Sequence, residues 1–233
     1  MDDRLRAELT AMFEADTAAV TAFYAHADEH RARFVATGIV ATTPWPFGLL
    51  EWSPIESAPP LVRQVVEVVH TNTARLRRIV AAHGWPGRSL VDTDGADAAW
   101  LVLQHASSGV PSLGTPENLA FCRACIPLLA RAVRSGDAQP RQLAATVDSL
   151  RGLDGLPPVY AVLTSDYRIE DGRPEFRRPV QVADIDRERS RIGLPPLASD
   201  IRRRQLGSTL DPAGPGRAEP WPTTPARRGR GPE

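Results

Sequence analysis

Gln104 and His105 end an otherwise apolar segment, Ala98-Ala-Trp-Leu-Val-Leu-Gln-His-Ala106. A neutral imidazole can give or take a proton near pH 7, and a carboxamide can orient a substrate or hold a ring tautomer. On a helix with no polar face, such a pair is either a buried, satisfied network or a site. Asn72 is the second candidate. It falls where the spacing of Leu61, Val65, Val69, Leu76 and Ile79 calls for a hydrophobe, so its amide must find partners or cost stability. Asp148 and Tyr160 complete the set. His105, Tyr160 and Asp148 are the candidate catalytic groups, and Asn72, Gln104 and Trp85 the candidate substrate-binding ones. No metal and no cofactor is expected.

Other motifs carry less. His26-Ala-Asp-Glu29-His30 fits the spacing by which two histidines one turn apart bind zinc, but no third ligand follows in a recognisable context. Its polar residues read as the solvated face of an amphipathic helix. Cys122-Arg-Ala-Cys125 has redox spacing, yet a redox site needs the motif at a helix N-terminus after a strand. Inside a helix beside Phe121, Ile126 and Leu129, the cysteines read as small hydrophobes. The arginines from Arg187 to Arg204 interleave with Asp184, Asp186, Glu188 and Asp200, as on a helix surface with paired charges. Arg227, Arg228 and Arg230 lie near the C-terminus, where they could touch an acidic partner.

Composition excludes several chemistries. All 28 basic residues are arginine, so no Schiff-base, P-loop or general-base lysine exists. This lysine-free, Ala-, Gly- and Pro-rich chain reads as the product of a GC-rich genome. The 28 acidic residues cancel the arginines, and no aromatic interleaving accompanies the basic clusters; nucleic acid is not an expected partner. No apolar run approaches the ~20 residues of a membrane span. Asp2 and Asp3 stand where a secretory signal would be basic, and two cysteines make no disulfide framework. The expected location is cytoplasmic, and the expected partner an unknown small molecule or protein.

The elements that must position these residues are mostly helices. Leu5, Leu9, Met12, Phe13, Val20, Phe23, Ala27 and Phe34 recur at helical spacing, predicting one amphipathic helix within residues 1–38. Residues 39–60 read as a proline-rich loop held down by Trp45, Phe47 and Trp52. A core helical domain then spans 61–205. Its second helix runs from Leu61 to Ala82 and is stopped by Gly84 and Pro86. The third begins near Gly95 with Asp94 as N-cap, and the fourth and fifth cover about Pro116 to Ser135 and Pro140 to Arg151. The period then changes. Val159 to Tyr167 and Pro174 to Val180 read as two strands about an Asp171-Gly172 turn, a hairpin near 159–180. Short helices near Asp184–Ile192 and Leu197–Gln205 follow. Residues 206–233, rich in proline and glycine, read as a disordered tail. The fold class is mainly α, a compact helical domain with one small antiparallel β-hairpin.

The run Val69-His-Thr-Asn72-Thr-Ala-Arg-Leu76, then His83-Gly-Trp-Pro86, then Ala98-Ala-Trp-Leu and Gln104-His105-Ala, resembles a bacterial domain-of-unknown-function family, number 6624 in that series. The later Ile126-Pro-Leu-Leu, Leu143-Ala, Asp148, Val159-Tyr160 and Ile192-Gly-Leu-Pro-Pro-Leu197 are similar to it as well. The resemblance covers about residues 60–200. It implies candidate positions rather than a reaction. Where family members carry an aromatic and then Asp-Arg on the fifth helix, this chain has Ala145 and Asp148-Ser149. Where they read Gln-x-Tyr-Gly-Thr-Gln, it reads Pro158-Val-Tyr160-Ala-Val-Leu163. A family glutamine corresponds to Cys122, and Ser107 to Glu117 is an insertion. These departures imply a diverged or inactive site, a possible pseudoenzyme, or a more apolar ligand.

Three readings follow. One is a cytoplasmic bacterial accessory protein that binds a small molecule or peptide in a degenerate enzyme-like pocket centred on His105. Another is a small metal-independent enzyme, in specialised metabolism, with His105 as acid/base. The last is a structural interaction module that uses the aromatic loop around Trp45 to Trp52 as a contact surface.

Overall fold

The computed structural model describes residues 1–41, 45–170 and 173–210. Seven α-helices and one antiparallel hairpin account for most of them. Helix α1 (Asp3–Ala36) starts on Asp2, whose side chain accepts the Leu5 amide. Helices α2 (Pro60–His83), α4 (Pro116–Arg134) and α5 (Pro140–Leu153) each begin with proline. There the missing N–H is one the helix would leave unpaired anyway. The Thr115 side chain caps α4 by accepting the Asn118 amide. Gly84 ends α2 at φ 75°, a conformation that favours glycine, and Trp85-Pro86 turns the chain into α3 (Arg88–Ala106).

The contacts of α1 set the layout. Asp2 donates its amide to the Leu90 carbonyl, and Arg6 pairs with Asp94 at 2.9 Å. These contacts advance together along both helices, so α1 and α3 run parallel. Against α2 the order reverses, with Glu8 near Arg75 and the Met12 carbonyl near Asn72. Two apolar clusters result. One joins Leu5, Leu9 and Met12 to Leu76, Val102, Leu103 and α4. The other joins Ala19, Phe23 and Phe34 to Val62, Val65, Val69, Leu49, Leu50, Val110 and Leu113. Each fully buried Leu or Phe side chain among them contributes about 1.5–3 kcal/mol.

Helix α3 begins earlier than Gly95. Its first turn forms on the Gly87 carbonyl, which accepts from Leu90 and Val91. The helix then breaks at Asp92 (φ 61°, ψ 179°) and resumes. Asp94 is not a simple N-cap, because its carboxylate is held by the Arg6 guanidinium through both oxygens. Asp92 occupies backbone space that is essentially glycine's, at a strain of about 1–3 kcal/mol. Asp92→Gly is therefore expected to stabilise the chain by about 1 kcal/mol, whereas Asp92→Ala, which keeps a Cβ, is not. Urea denaturation distinguishes the two; a less stable glycine variant would mean that the carboxylate contacts of Asp92 outweigh its strain.

The hairpin is shorter than its sequence suggests: β1 (Tyr167–Glu170) pairs with β2 (Arg173–Phe176), Tyr167 opposite Phe176. Val159 to Asp166 is not strand. Its amides at Val159, Tyr160 and Val162 donate to the Asp148 carboxylate instead of a neighbouring strand, and Ala161 sits at φ 50°. The expected turn at Asp171-Gly172 lies outside the described residues.

Helices α6 (Val182–Arg191) and α7 (Leu197–Leu210) close the fold through Ile185, Leu197 and Ile201, which pack with Tyr167 and Ala161. The fully buried Arg189 ties them together. Its guanidinium donates to the Pro195 and Tyr160 carbonyls (2.7 Å each) and to Asp200 (3.1 Å), which also pairs with Arg141. Helix α7 is described to Leu210, and the rest of the expected tail, 211–233, lies outside the described residues.

Candidate functional site

Where the two apolar clusters meet, the core carries a polar layer. From Leu5 to Ala27 the buried positions of α1 are Leu5, Leu9, Met12, Asp16, Ala19, Phe23 and Ala27, a spacing of three and four that puts one acid on an otherwise apolar stripe. Parallel packing brings Asp16 against the last turn of α3. There Asp16 Oδ2 lies 2.6 Å from His105 Nδ1. An ionised carboxylate only accepts, so opposite one the ring donates its Nδ1 proton. Asp16 is sealed, with 1% of its side chain exposed, while 11% of the His105 side chain reaches the surface. Both groups are buried, the acid more completely than the imidazole. Asp16 Oδ1 is buried and has no hydrogen-bond partner among the described residues.

Asn72 belongs to the same layer. Its Nδ2 donates to the Met12 carbonyl at 2.9 Å, one helical turn before Asp16, and so links α2 to the turn that carries the acid. Beside it, the buried Thr73 hydroxyl donates to the Val69 carbonyl within α2. Gln104, the neighbour of His105, turns away by about 100° around the helix axis. It is half-buried and shares its face with Trp100, one turn earlier.

Asp148 and Tyr160 form a second centre. Asp148 Oδ1 accepts the amides of Val159 (2.8 Å) and Tyr160 (3.1 Å), and Oδ2 that of Val162 (3.2 Å). Burial pushes the Asp148 carboxyl up, while the three amides pull it the other way. The phenol of Tyr160 is raised by burial and then by the nearby charges of Asp148 and Glu188. Tyr160 packs against the buried cluster of Ala144, Ala145, Val162 and Leu163. Trp85 lies buried at the opposite end of α3 from His105, and its Nε1 has no partner among the described residues. The six sequence candidates therefore fall into one layer with Asn72 and His105, another with Asp148 and Tyr160, Gln104 on the flank of α3, and Trp85 apart.

Asp16 was missed by the sequence reading. Its signal was present: an aspartate on the apolar stripe between Met12 and Ala19, the same anomaly that drew attention to Asn72 on the next helix.

The segment after His105, expected to be an insertion, packs into the fold. Val110 and Leu113 are buried in the second cluster, His70 Nε2 lies 2.6 Å from the Ser112 carbonyl, and Asn118 donates to that of Leu113. A Cβ at Gly114 would lie 1.8 Å from the Ser108 carbonyl, so only glycine permits this closure. The aromatic loop is likewise spent on α1. Phe34 contacts Trp45 and Trp52, Tyr24 contacts Phe47, and Trp45 donates to Asp28. Trp52 is buried by these contacts, Trp45 and Phe47 are half-buried, and Val35 and Val40 beside the loop are exposed. Cys122 and Cys125 are buried free thiols inside α4, and burial pushes both up to about 12, which removes them from thiolate chemistry near neutral pH. His26 points back to the Ala22 carbonyl on an exposed face, and no cluster of metal-ligating side chains occurs among the described residues. No helix among them is long and apolar enough to cross a membrane.

Comparison with known proteins yields no match among curated proteins and none among solved structures. One family model does match, over residues 52–209, and its span takes in Asn72, His105, Asp148 and Tyr160 but leaves Asp16 outside. The chain belongs to that family, described as a Family of unknown function (DUF6624).

Proposed function

We propose that the chain is a cytoplasmic bacterial accessory protein that binds a small molecule or peptide at a reduced, enzyme-like site centred on His105. The observation that carries this reading is the Asp16–His105 pair, a buried acid holding an imidazole that keeps 11% of its side chain exposed. Around it, the side chains that an enzyme would use to position substrate are committed elsewhere. Asn72 holds a backbone carbonyl of α1, and Asp148 holds the 159–162 segment. What remains is an imidazole held by a carboxylate, with the half-buried carboxamide of Gln104 on the adjoining face of α3.

A second reading, a metal-independent enzyme with His105 as acid/base, draws support from the same pair. A carboxylate on Nδ1 fixes the ring tautomer and steadies the imidazolium that forms when Nε2 takes a proton.

Both readings need His105 to be reachable, which a ligand-free probe measures. Diethyl pyrocarbonate, followed by peptide mapping, is expected to modify His105 in the native chain, more slowly than the exposed His26, and to modify it more slowly still in Asp16→Asn. If His26 reacts to completion while His105 stays unmodified until the chain unfolds, the pair is a sealed structural element and both readings fail. A screen of metabolites and short peptides by thermal shift then separates binding from turnover. Binding predicts shifts that His105→Ala abolishes, with the added compound recovered unchanged.

A further inference from the structure

We propose that the C-terminal segment of this same chain, residues 211–233, docks in the groove between the 157–159 stretch and the first turns of α6. The groove encloses about 410 Å³, within the size range of ligand clefts. Its walls include Pro157, Pro158, Pro179 and Ile185, and its charged lining residues, Asp184 and Glu188, are both acidic. Proline walls offer no N–H and recognise a partner by apolar contact. The C-terminal segment supplies the complement: Trp221 between Pro220 and Pro222, followed by Arg227, Arg228 and Arg230. Each proline restricts the unbound backbone, which lowers the entropy that docking must remove.

The electrostatics allow the exchange. Asp184 pairs with Arg187 and Glu188 with Arg191, both within α6 and solvent-facing. Such exposed pairs contribute little, so replacing one arginine by another costs little. Connectivity favours the chain's own segment over a separate peptide. Helix α7 packs on α6 through Ile185, Leu197 and Ile201 and is described to Leu210. Trp221 follows eleven residues later, a reach of up to about 36 Å, whereas α6, at ten residues, is about 15 Å long. Tethering raises the effective concentration to about millimolar, enough to fill a groove of modest affinity. This proposal does not depend on the role of His105.

The test is hydrogen exchange on the full-length chain. Amides of residues 179–188 are expected to exchange about fivefold more slowly in the wild type than in a full-length variant carrying Trp221→Ala, Arg227→Glu, Arg228→Glu and Arg230→Glu. Adding a synthetic peptide of residues 211–233 to that variant at millimolar concentration is expected to restore the protection. Equal exchange in the two proteins overturns the proposal. Faster exchange in the variant that the peptide fails to reverse also overturns it, since that reports general loosening. Protection that disappears on dilution places the segment in the groove of another copy and overturns docking within one chain.

Discussion

Asp148→Ala is expected to destabilise the chain by about 2–5 kcal/mol, because three backbone amides, one buried and two half-buried, lose their acceptor together and a buried, unpaired donor costs about 1–3 kcal/mol. Those amides belong to Val159, Tyr160 and Val162. The segment they hold carries the Tyr160 carbonyl that receives the buried Arg189 guanidinium. Once the segment loosens, a charge with no access to water loses one of its three acceptors, and the clasp between α6 and α7 weakens with it. Asp148→Asn keeps one acceptor oxygen but turns an NH₂ toward an amide, so its loss should fall between wild type and alanine. Urea denaturation gives the magnitude, and hydrogen exchange at Val159, Tyr160 and Val162 locates it. A loss below about 1 kcal/mol would show that water satisfies the amides and that the carboxylate is free for another task.

The second large effect is at Asp16 and His105. Removing one partner of a buried polar pair leaves the other without compensation, and Asp16→Ala or His105→Leu alone is each expected to cost about 3 kcal/mol. The double variant should cost clearly less than the sum, with a coupling of about 2 kcal/mol, because each substitution removes the other's unpaired group. Its stability also separates structure from function. A double variant that recovers wild-type stability and loses every ligand response places the value of the pair in its chemistry. Additive losses would mean that the 2.6 Å contact carries no coupling.

Much of the scaffold was legible in the chain itself. Helices α1, α2, α4 and α5 start and stop within a few residues of expectation, since apolar spacing, proline at the first turn, the Thr115 cap and Gly84 all act locally. Local signals failed at two places. Val159 to Tyr167 has strand composition, but a carboxylate from the preceding helix captured its amides. Helix α3 was expected to begin near Gly95; it resumes close to there after its break at Asp92, and what local signals left out is the helical stretch from Arg88 that precedes the break.

The candidate site was legible in the same partial way. His105 and Asn72 drew attention as polar groups on apolar faces, and both lie buried in one layer. By itself the sequence determined which faces are apolar, where helices begin and end, and which polar residues break the pattern, because these depend on neighbours three or four positions away. Only the tertiary structure decided what those residues meet. Asp16 and His105 are 89 positions apart, and they touch because α1 and α3 pack in parallel with a nearly constant offset from Arg6 and Asp94 onward. Periodicity says which face of a helix is buried and leaves open which helix buries it; that choice belongs to long-range packing, and with it the partner of the histidine.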